Sequence, residues 1–126
     1  MNDSLDRLYA GVLAARDADP ASSRTARLLK SGRSKIAKKL AEEAVEVVID
    51  SMHQRSDAVV RESADLLYNL VVLWAVTGVR PQDVWKEMAR RERLLGIAEK
   101  VPKDFLELDM RRKVVPLDSR RVRKRR

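Results

Sequence analysis

The sequence predicts an all-α protein, a four-helix bundle that is completed by homodimerisation. Gly and Pro number only four each among 126 residues, so turn residues are scarce. Ala, Leu, Glu, Lys and Arg, which favour helices, dominate the composition. Apolar residues recur at helical spacing along most of the chain, and the segments between these stretches are only a few residues long.

The first predicted helix covers residues 3–17. Its apolar residues recur three and four positions apart: Leu5, Leu8, Tyr9, Val12 and Leu13. An Asp-Pro pair at residues 19–20 ends this helix. The Ser-rich stretch that follows is predicted to be a loop with one short helical turn, which Ser23 or Thr25 caps and Gly32 stops.

Three further helices follow this loop. Ser34 is a suitable N-cap for a long helix that runs to about Met52. After a polar turn, a helix over residues 57–76 ends before a Thr-Gly pair. Pro81 then occupies the first position of a last helix, which extends through Leu95.

The predicted helix over residues 57–76 is apolar on nearly all sides between Leu66 and Val76. A helix of this kind is enclosed on most sides, and one chain has too few apolar helices to enclose it fully. We therefore expect a homodimer to complete the bundle. The apolar run from Leu70 to Val76 is shorter than the ~20 residues that a bilayer-spanning helix needs, so no membrane contact is expected.

The composition restricts the chemistry that the chain can perform. It has no cysteine, which excludes disulfides, thiolate metal sites and a Cys nucleophile and fits a reducing compartment. His53, the sole histidine, is interpreted as a solvated residue near a turn rather than a catalytic base. The N-terminal segment has two aspartates and no long apolar run, unlike a secretory signal. We expect a soluble cytoplasmic protein.

The excess positive charge is confined to the end of the chain. The net charge is +8, and residues 111–126 hold nine basic residues and one acidic residue. Residues 1–110 are balanced, with 18 basic and 18 acidic residues. We predict a helical domain over residues 1–100 and a basic extension over residues 101–126. The extension is interpreted either as mobile and solvated or as a contact for nucleic acid or an acidic partner.

Two pairs of acidic residues have the same spacing on neighbouring helices. Glu43 and Glu46 are three positions apart, as are Glu62 and Asp65, so each pair shares a helix face. If the two helices pack antiparallel across the short turn, the four carboxylates could meet, and their repulsion would raise their pKa values. A divalent cation reverses this repulsion, and Mg²⁺ or Mn²⁺ prefers such oxygen ligands.

The alternative interpretation is a solvated acidic face. Lys38 with Glu42 and Lys39 with Glu43 have the i,i+4 spacing of surface ion pairs. A solvated face does not explain why Asp65 leads directly into the most apolar segment of the chain.

Basic residues precede the paired glutamates on the same predicted helix and in the loop before it. These residues are Lys30, Arg33, Lys35, Lys38 and Lys39. Cationic side chains beside a carboxylate-bound metal ion are suited to hold a polyphosphate, because they neutralise the charge that the metal ion leaves. The sequence has no Walker A motif, so a P-loop protein is excluded.

The order of these motifs resembles the phosphoribosyl-ATP pyrophosphatase family of the MazG-like all-α nucleotide pyrophosphohydrolases. The superfamily pattern E-E-x-x-E followed by E-x-x-D occurs at residues 42–46 and 62–65. Segments SRTARLLKSG at 23–32, KIAKKLAEEAVEV at 35–47 and ADLLYNLVVL at 64–73 are more specific to the pyrophosphatases. The resemblance covers roughly residues 5–100.

This resemblance implies Mg²⁺-dependent hydrolysis of phosphoribosyl-ATP to phosphoribosyl-AMP and pyrophosphate, a reaction of histidine biosynthesis. It implies that the metal ligands are Glu43, Glu46, Glu62 and Asp65. It gives Glu42 and Glu43 catalytic roles, with Glu42 as an outer group or one that orients the attacking water. The residues implied to bind substrate are Thr25, Lys35, Lys38, Lys39 and Asn69.

The chain departs from the family pattern at a few positions. Ala41 replaces a common Gly, Arg24 a common aromatic residue and Asn69 a common His. None of these changes removes an acidic residue of the motif. Two other functions therefore stay open: a MazG-like pyrophosphohydrolase that acts on other nucleoside triphosphates, and a non-catalytic helical dimer with a nucleic-acid-binding tail.

Overall fold

The structure, a computed structural model, describes residues 3–96, and this range contains helices and no strand. The helices are α1 (Asp3–Ala14), a 3₁₀ helix (Ala15–Asp17), α2 (Arg24–Ser31), α3 (Arg33–Met52), α4 (Ser56–Thr77) and α5 (Pro81–Leu95). The all-α prediction is confirmed. The chain divides into two compact units, one ending at Trp85 and one beginning at Lys86. The predicted boundary at residue 100 and the basic extension lie outside the described residues.

The first predicted helix changes character before its end. It is α-helical only to Ala14 and continues as a tighter 3₁₀ turn through Asp17. Asp19 then stabilises the following turn, since its carboxylate accepts a hydrogen bond of 3.0 Å from the backbone N–H of Ala21. The apolar face of α1 packs into the core, where Val12 is 2% exposed.

The short helical turn predicted after the loop is in fact a helix of eight residues, α2. Ser23 is its N-cap, as predicted, and its hydroxyl accepts a hydrogen bond of 3.1 Å from the backbone N–H of Ala26. Thr25 does not cap the helix; its hydroxyl lies 2.7 Å from that of Tyr68 on α4. This contact ties α2 to α4.

The predicted N-cap of α3 is wrong. We expected Ser34 in this role, but the helix begins at Arg33 and its N-cap is Gly32, which has no side chain to accept a hydrogen bond. Gly32 has a φ of 98°, which favours glycine, and it joins the two helices directly. This single-residue connection moves the start of α3 ahead of the serine.

Helices α3 and α4 form an antiparallel hairpin with a connection of three residues, 53–55. Arg33, at the start of α3, donates a hydrogen bond of 3.3 Å to the backbone carbonyl of Val76 near the end of α4. At the opposite end, Arg55 forms an ion pair of 3.2 Å with Asp50. Residues in the two helices therefore face each other from the turn to the far end, as the sequence predicts.

The core of the first unit lies where α1, α3 and α4 meet. Val12, Ile36, Val71 and Val72 are each at most 2% exposed. Trp74 and Trp85 extend this packing to the first turns of α5, with ring centroids 6.3 Å apart in an edge-to-face arrangement. Pro81 is buried at the first position of α5, as predicted.

One face of the hairpin stays apolar and uncovered in the single chain. We call it the apolar stripe; its members are 42–76% exposed and are Val45, Val48, Ile49, Met52, Val60 and Leu67. Their spacing of three, four and seven residues places them along one side of each helix. No helix among residues 3–96 is long and apolar enough to cross a membrane.

Within the second unit, Glu87 forms ion pairs with two arginines of α5. Its carboxylate accepts hydrogen bonds from the guanidinium groups of Arg90 at 3.1 Å and Arg91 at 2.9 Å. Hydrogen bonds from these two arginines lower the pKa of Glu87 below its ordinary value.

Candidate metal and phosphate site

The hairpin brings the four predicted acidic residues together in two groups. Carboxylate oxygens of Glu43, Glu62 and Asp65 lie within 4.8 Å of one another, and so do those of Glu46, Asp50 and Glu62. Glu62 belongs to both groups. The antiparallel packing produces this arrangement, since residues 43–50 of α3 face residues 62–65 of α4 near the short turn.

Asp50 is the one acidic residue of the two carboxylate groups that lies outside the sequence motif. It is 8% exposed, and the ion pair with Arg55 across the turn partly neutralises it. Its position four residues after Glu46 places both on one face of α3, and this spacing is a signal that could have found it. Its burial depends on the turn geometry, which the sequence does not reveal.

The crowding of negative charge has a clear electrostatic effect. The pKa of Glu62 rises from its ordinary 4.5 to about 7. The main cause is a hydrogen bond with the Glu43 carboxyl group, followed by desolvation and by the negative charges of Glu43, Asp65 and Glu46. Protonation of Glu62 would relieve part of the repulsion between the two glutamates. The oxygen-only donor set and this unfavourable charge fit a divalent cation such as Mg²⁺, which would take the proton's place.

A cavity of about 590 Å³ is lined mainly by residues of α2, with two residues from α3 and one from α4. We call it the basic cavity, because all of its charged lining residues are cationic: Arg24, Arg27, Lys30, Lys35 and Lys39. Lys39 precedes Glu43 by one helical turn, and Tyr68, which also lines the cavity, follows Asp65 by three residues. Of the substrate-binding lysines implied by the family resemblance, Lys35 and Lys39 line this cavity.

The surface ion pairs of the alternative interpretation do not form in residues 3–96. Neither Lys38 with Glu42 nor Lys39 with Glu43 is among the ion pairs within 4.0 Å in that range. Lys38 and Glu42 are both exposed; Lys38 does not line the basic cavity and Glu42 belongs to neither carboxylate group. Their roles stay predictions.

Two other implied substrate-binding residues take part in packing. Thr25 is half-buried and bonded to Tyr68, which lines the basic cavity. Asn69 is 2% exposed and its amide donates a hydrogen bond of 2.8 Å to the backbone carbonyl of Asp65. Among the described residues, its side-chain oxygen has no hydrogen-bond partner. Contact of Thr25 or Asn69 with substrate stays a prediction.

His53 lies at the C-terminal end of α3, where it is exposed. Its Nδ1 atom is 3.0 Å from the backbone carbonyl of Ile49, within the same helix. The interpretation of His53 as a solvated residue near a turn is confirmed.

Together, the helical hairpin, its clustered carboxylates and the adjoining basic cavity have the features of a metal-dependent helical phosphohydrolase. The sequence model of the phosphoribosyl-ATP pyrophosphohydrolase family matches residues 5–92. The chain belongs to this family, which confirms the resemblance seen in its motifs.

Individual members of the family match closely. The chain is 64% identical over 133 residues to phosphoribosyl-ATP pyrophosphatase 2 of Bradyrhizobium diazoefficiens, and the match covers 99% of each chain. It is 64% identical over 131 residues to the protein of that name from Rhodopseudomonas palustris, with both chains fully covered. The phosphoribosyl-ATP pyrophosphatase of Azospirillum brasilense is 54% identical over 96 residues, covering 76% of this chain and 86% of the relative.

Proposed function

We propose that the protein hydrolyses phosphoribosyl-ATP to phosphoribosyl-AMP and pyrophosphate, a reaction of histidine biosynthesis, and that it requires Mg²⁺ or Mn²⁺. The observation that carries this proposal is the pair of carboxylate groups that share Glu62 beside the basic cavity. The names of the full-length relatives support the substrate. The absence of cysteine is compatible with a reaction in the reducing cytoplasm.

The four acidic residues of the motif would hold the cation: Glu43, Glu46, Glu62 and Asp65. When bound, the cation supplies Lewis acidity toward phosphate oxygens and water. Glu42 is exposed one residue before Glu43, a position from which it could accept a proton from water. Lys35 and Lys39 face the basic cavity, where their ammonium groups would neutralise phosphate charge.

We also propose that the working form is a homodimer. The apolar stripe runs along the outer side of the hairpin and includes Met52, which is 76% exposed, and Val60, which is 69% exposed. Apolar side chains aligned on two neighbouring helices are a typical protein contact surface, and a second copy presents the same surface. Docking of the two hairpins would complete the bundle.

Pyrophosphate release from phosphoribosyl-ATP, with and without Mg²⁺, tests the proposed reaction. A panel of ordinary nucleoside triphosphates should be assayed in parallel, since preference for one of them would favour a pyrophosphohydrolase of other specificity. We expect Glu62→Gln and Asp65→Asn to lose at least a hundredfold in kcat. Asp57→Asn is the matched control, because Asp57 is an exposed acidic residue of α4 outside both carboxylate groups. Unchanged activity in the first two variants would contradict the proposal.

A further inference from the structure

The charged side chains that line the basic cavity are positive only, and there are five of them. Within residues 3–96, none of the five belongs to an ion pair. Like charges around one concave surface focus the electrostatic field and attract polyanions. The cavity therefore has the electrostatics of a site for more than one phosphate group.

The five cations come from two different elements. Lys35 and Lys39 project from α3, the helix that also bears Glu43 and Glu46. Arg24 and Arg27 project from α2, three residues apart and hence on one face of that helix. The lysines thus share a helix with Glu43 and Glu46, whereas the arginines approach the cavity from a separate helix.

The position of Arg27 is fixed by a hydrogen bond. Its Nη1 atom donates to the backbone carbonyl of Pro20 at 2.7 Å, and Pro20 itself lines the cavity. A guanidinium group has five N–H donors, so this contact anchors the group and leaves donors for a ligand. The planar fork of arginine matches the oxygens of a phosphate monoester better than an ammonium group does.

The substrate of the proposed reaction carries phosphate at two separate places. Phosphoribosyl-ATP is ATP with a second ribose that bears its own phosphate, so only this additional group distinguishes it from ATP. We infer that the α2 side of the basic cavity, through Arg24 and Arg27, binds the phosphate of the second ribose and so selects phosphoribosyl-ATP over ATP. This inference rests on the proposed function and names the residues that would give that function its substrate specificity.

Kinetics of the double variant Arg24→Gln/Arg27→Gln test this inference. We expect KM for phosphoribosyl-ATP to rise at least tenfold, with kcat changed less than threefold. ATP, used as a competitive inhibitor, should keep its Ki within threefold, because it lacks the second phosphate. Arg16→Gln is the control: Arg16 also donates to a backbone carbonyl, that of Leu13, but lies outside the cavity. The KM of Arg16→Gln for phosphoribosyl-ATP should stay within twofold of the wild-type value.

Two outcomes would overturn the inference: a parallel loss of affinity for phosphoribosyl-ATP and ATP, and no loss for either. Wild-type protein that releases no pyrophosphate from phosphoribosyl-ATP would instead overturn the proposed function. In that case, titration with ribose 5-phosphate tests whether the arginines bind a sugar phosphate, independently of the proposed reaction. Binding to the wild type that the double variant loses sustains the site, and equal or absent binding in both proteins refutes it.

Discussion

Glu62 is the residue at which the two carboxylate groups meet, and its protonation links the site to the stability of the fold. Its pKa is about 7 in the folded protein and 4.5 in the ordinary state that represents the unfolded chain. The folded state therefore binds the proton more tightly. The resulting contribution to stability is complete below pH 4.5 and is lost as the pH rises through 7.

A first prediction concerns Glu62→Gln in the presence of a chelator. The amide stays neutral at all pH values, so the melting temperature of this variant should fall less than that of the wild type between pH 5 and pH 8. Thermal unfolding followed by circular dichroism measures this difference. Asp57→Asn, outside both carboxylate groups, should follow the wild-type curve. Equal pH slopes for wild type and Glu62→Gln would refute the electrostatic account of the site.

Individual residues also differ in how far the sequence predicted them. Spacing of three residues was sufficient to group Glu62 with Asp65, because a helix places such positions on one face. Asp50 and Arg27 were not found. Each of them contacts a residue outside its own helix. Asp50 pairs with Arg55 of the turn, and Arg27 donates a hydrogen bond to the loop carbonyl of Pro20. Such contacts depend on tertiary geometry, which periodicity does not specify.

At the scale of a helix, two glycines provide a matched pair of substitutions. Gly78 ends α4 with a φ of 78°, a left-handed conformation that an alanine side chain disfavours. Gly11 lies within α1, and apart from its chain neighbours and the nearby backbone of its own helix, no atom of the described residues is within 4 Å of an added Cβ. We predict that Gly78→Ala destabilises the protein by about 1 kcal/mol. Gly11→Ala should stabilise it by about 0.5–1 kcal/mol.

Denaturant unfolding of the two variants measures both changes in the free energy of unfolding. A stabilised Gly78→Ala variant would contradict the left-handed backbone conformation of Gly78 at the end of α4. A destabilised Gly11→Ala variant would mean that α1 does not accept a side chain at that position.

Helix ends were predicted less accurately than helices. The apolar repeat located α3 and α4 to within a residue or two, because long amphipathic segments must bury one face. The Ser23 cap was found, whereas Ser34 was wrongly preferred to a glycine connection. The first helical segment ends at residue 17 as predicted, but the sequence did not reveal that its last three residues form a 3₁₀ turn. These ends depend on backbone geometry at single residues.

At the scale of the whole molecule, the apolar stripe determines the expected assembly. We predict that the wild-type protein sediments as a dimer at micromolar concentration and that Val48→Glu sediments as a monomer. Val48 is 59% exposed in the single chain, so the glutamate would be solvated in the monomer and desolvated in a dimer. Analytical ultracentrifugation distinguishes the two species.

Ala10→Glu provides the control for this experiment. Ala10 is an exposed residue of α1 outside the apolar stripe, so this variant should remain dimeric. A monomeric wild type, or a dimeric Val48→Glu variant with a native circular dichroism spectrum, would exclude the stripe as the subunit interface.

The basic residues 111–126 lie outside the described part of the chain, and their sequence alone supports a prediction. They carry the whole net charge of +8, so we propose that they bind nucleic acid or an acidic partner through salt-sensitive contacts. Deletion of residues 111–126 should abolish retention on a heparin or DNA column at low salt. Hydrolysis of phosphoribosyl-ATP should persist. Equal retention of both proteins would assign the affinity to the helical domain.

The α3–α4 hairpin also has a consequence for how the active protein is assembled. Every carboxylate of the two groups lies on this hairpin, whose connection has three residues. Closing so short a loop has a small entropic cost, and contacts close in sequence form early in folding. We therefore expect a nascent chain to bring its cation ligands together as soon as α4 has left the ribosome, before α5 has emerged.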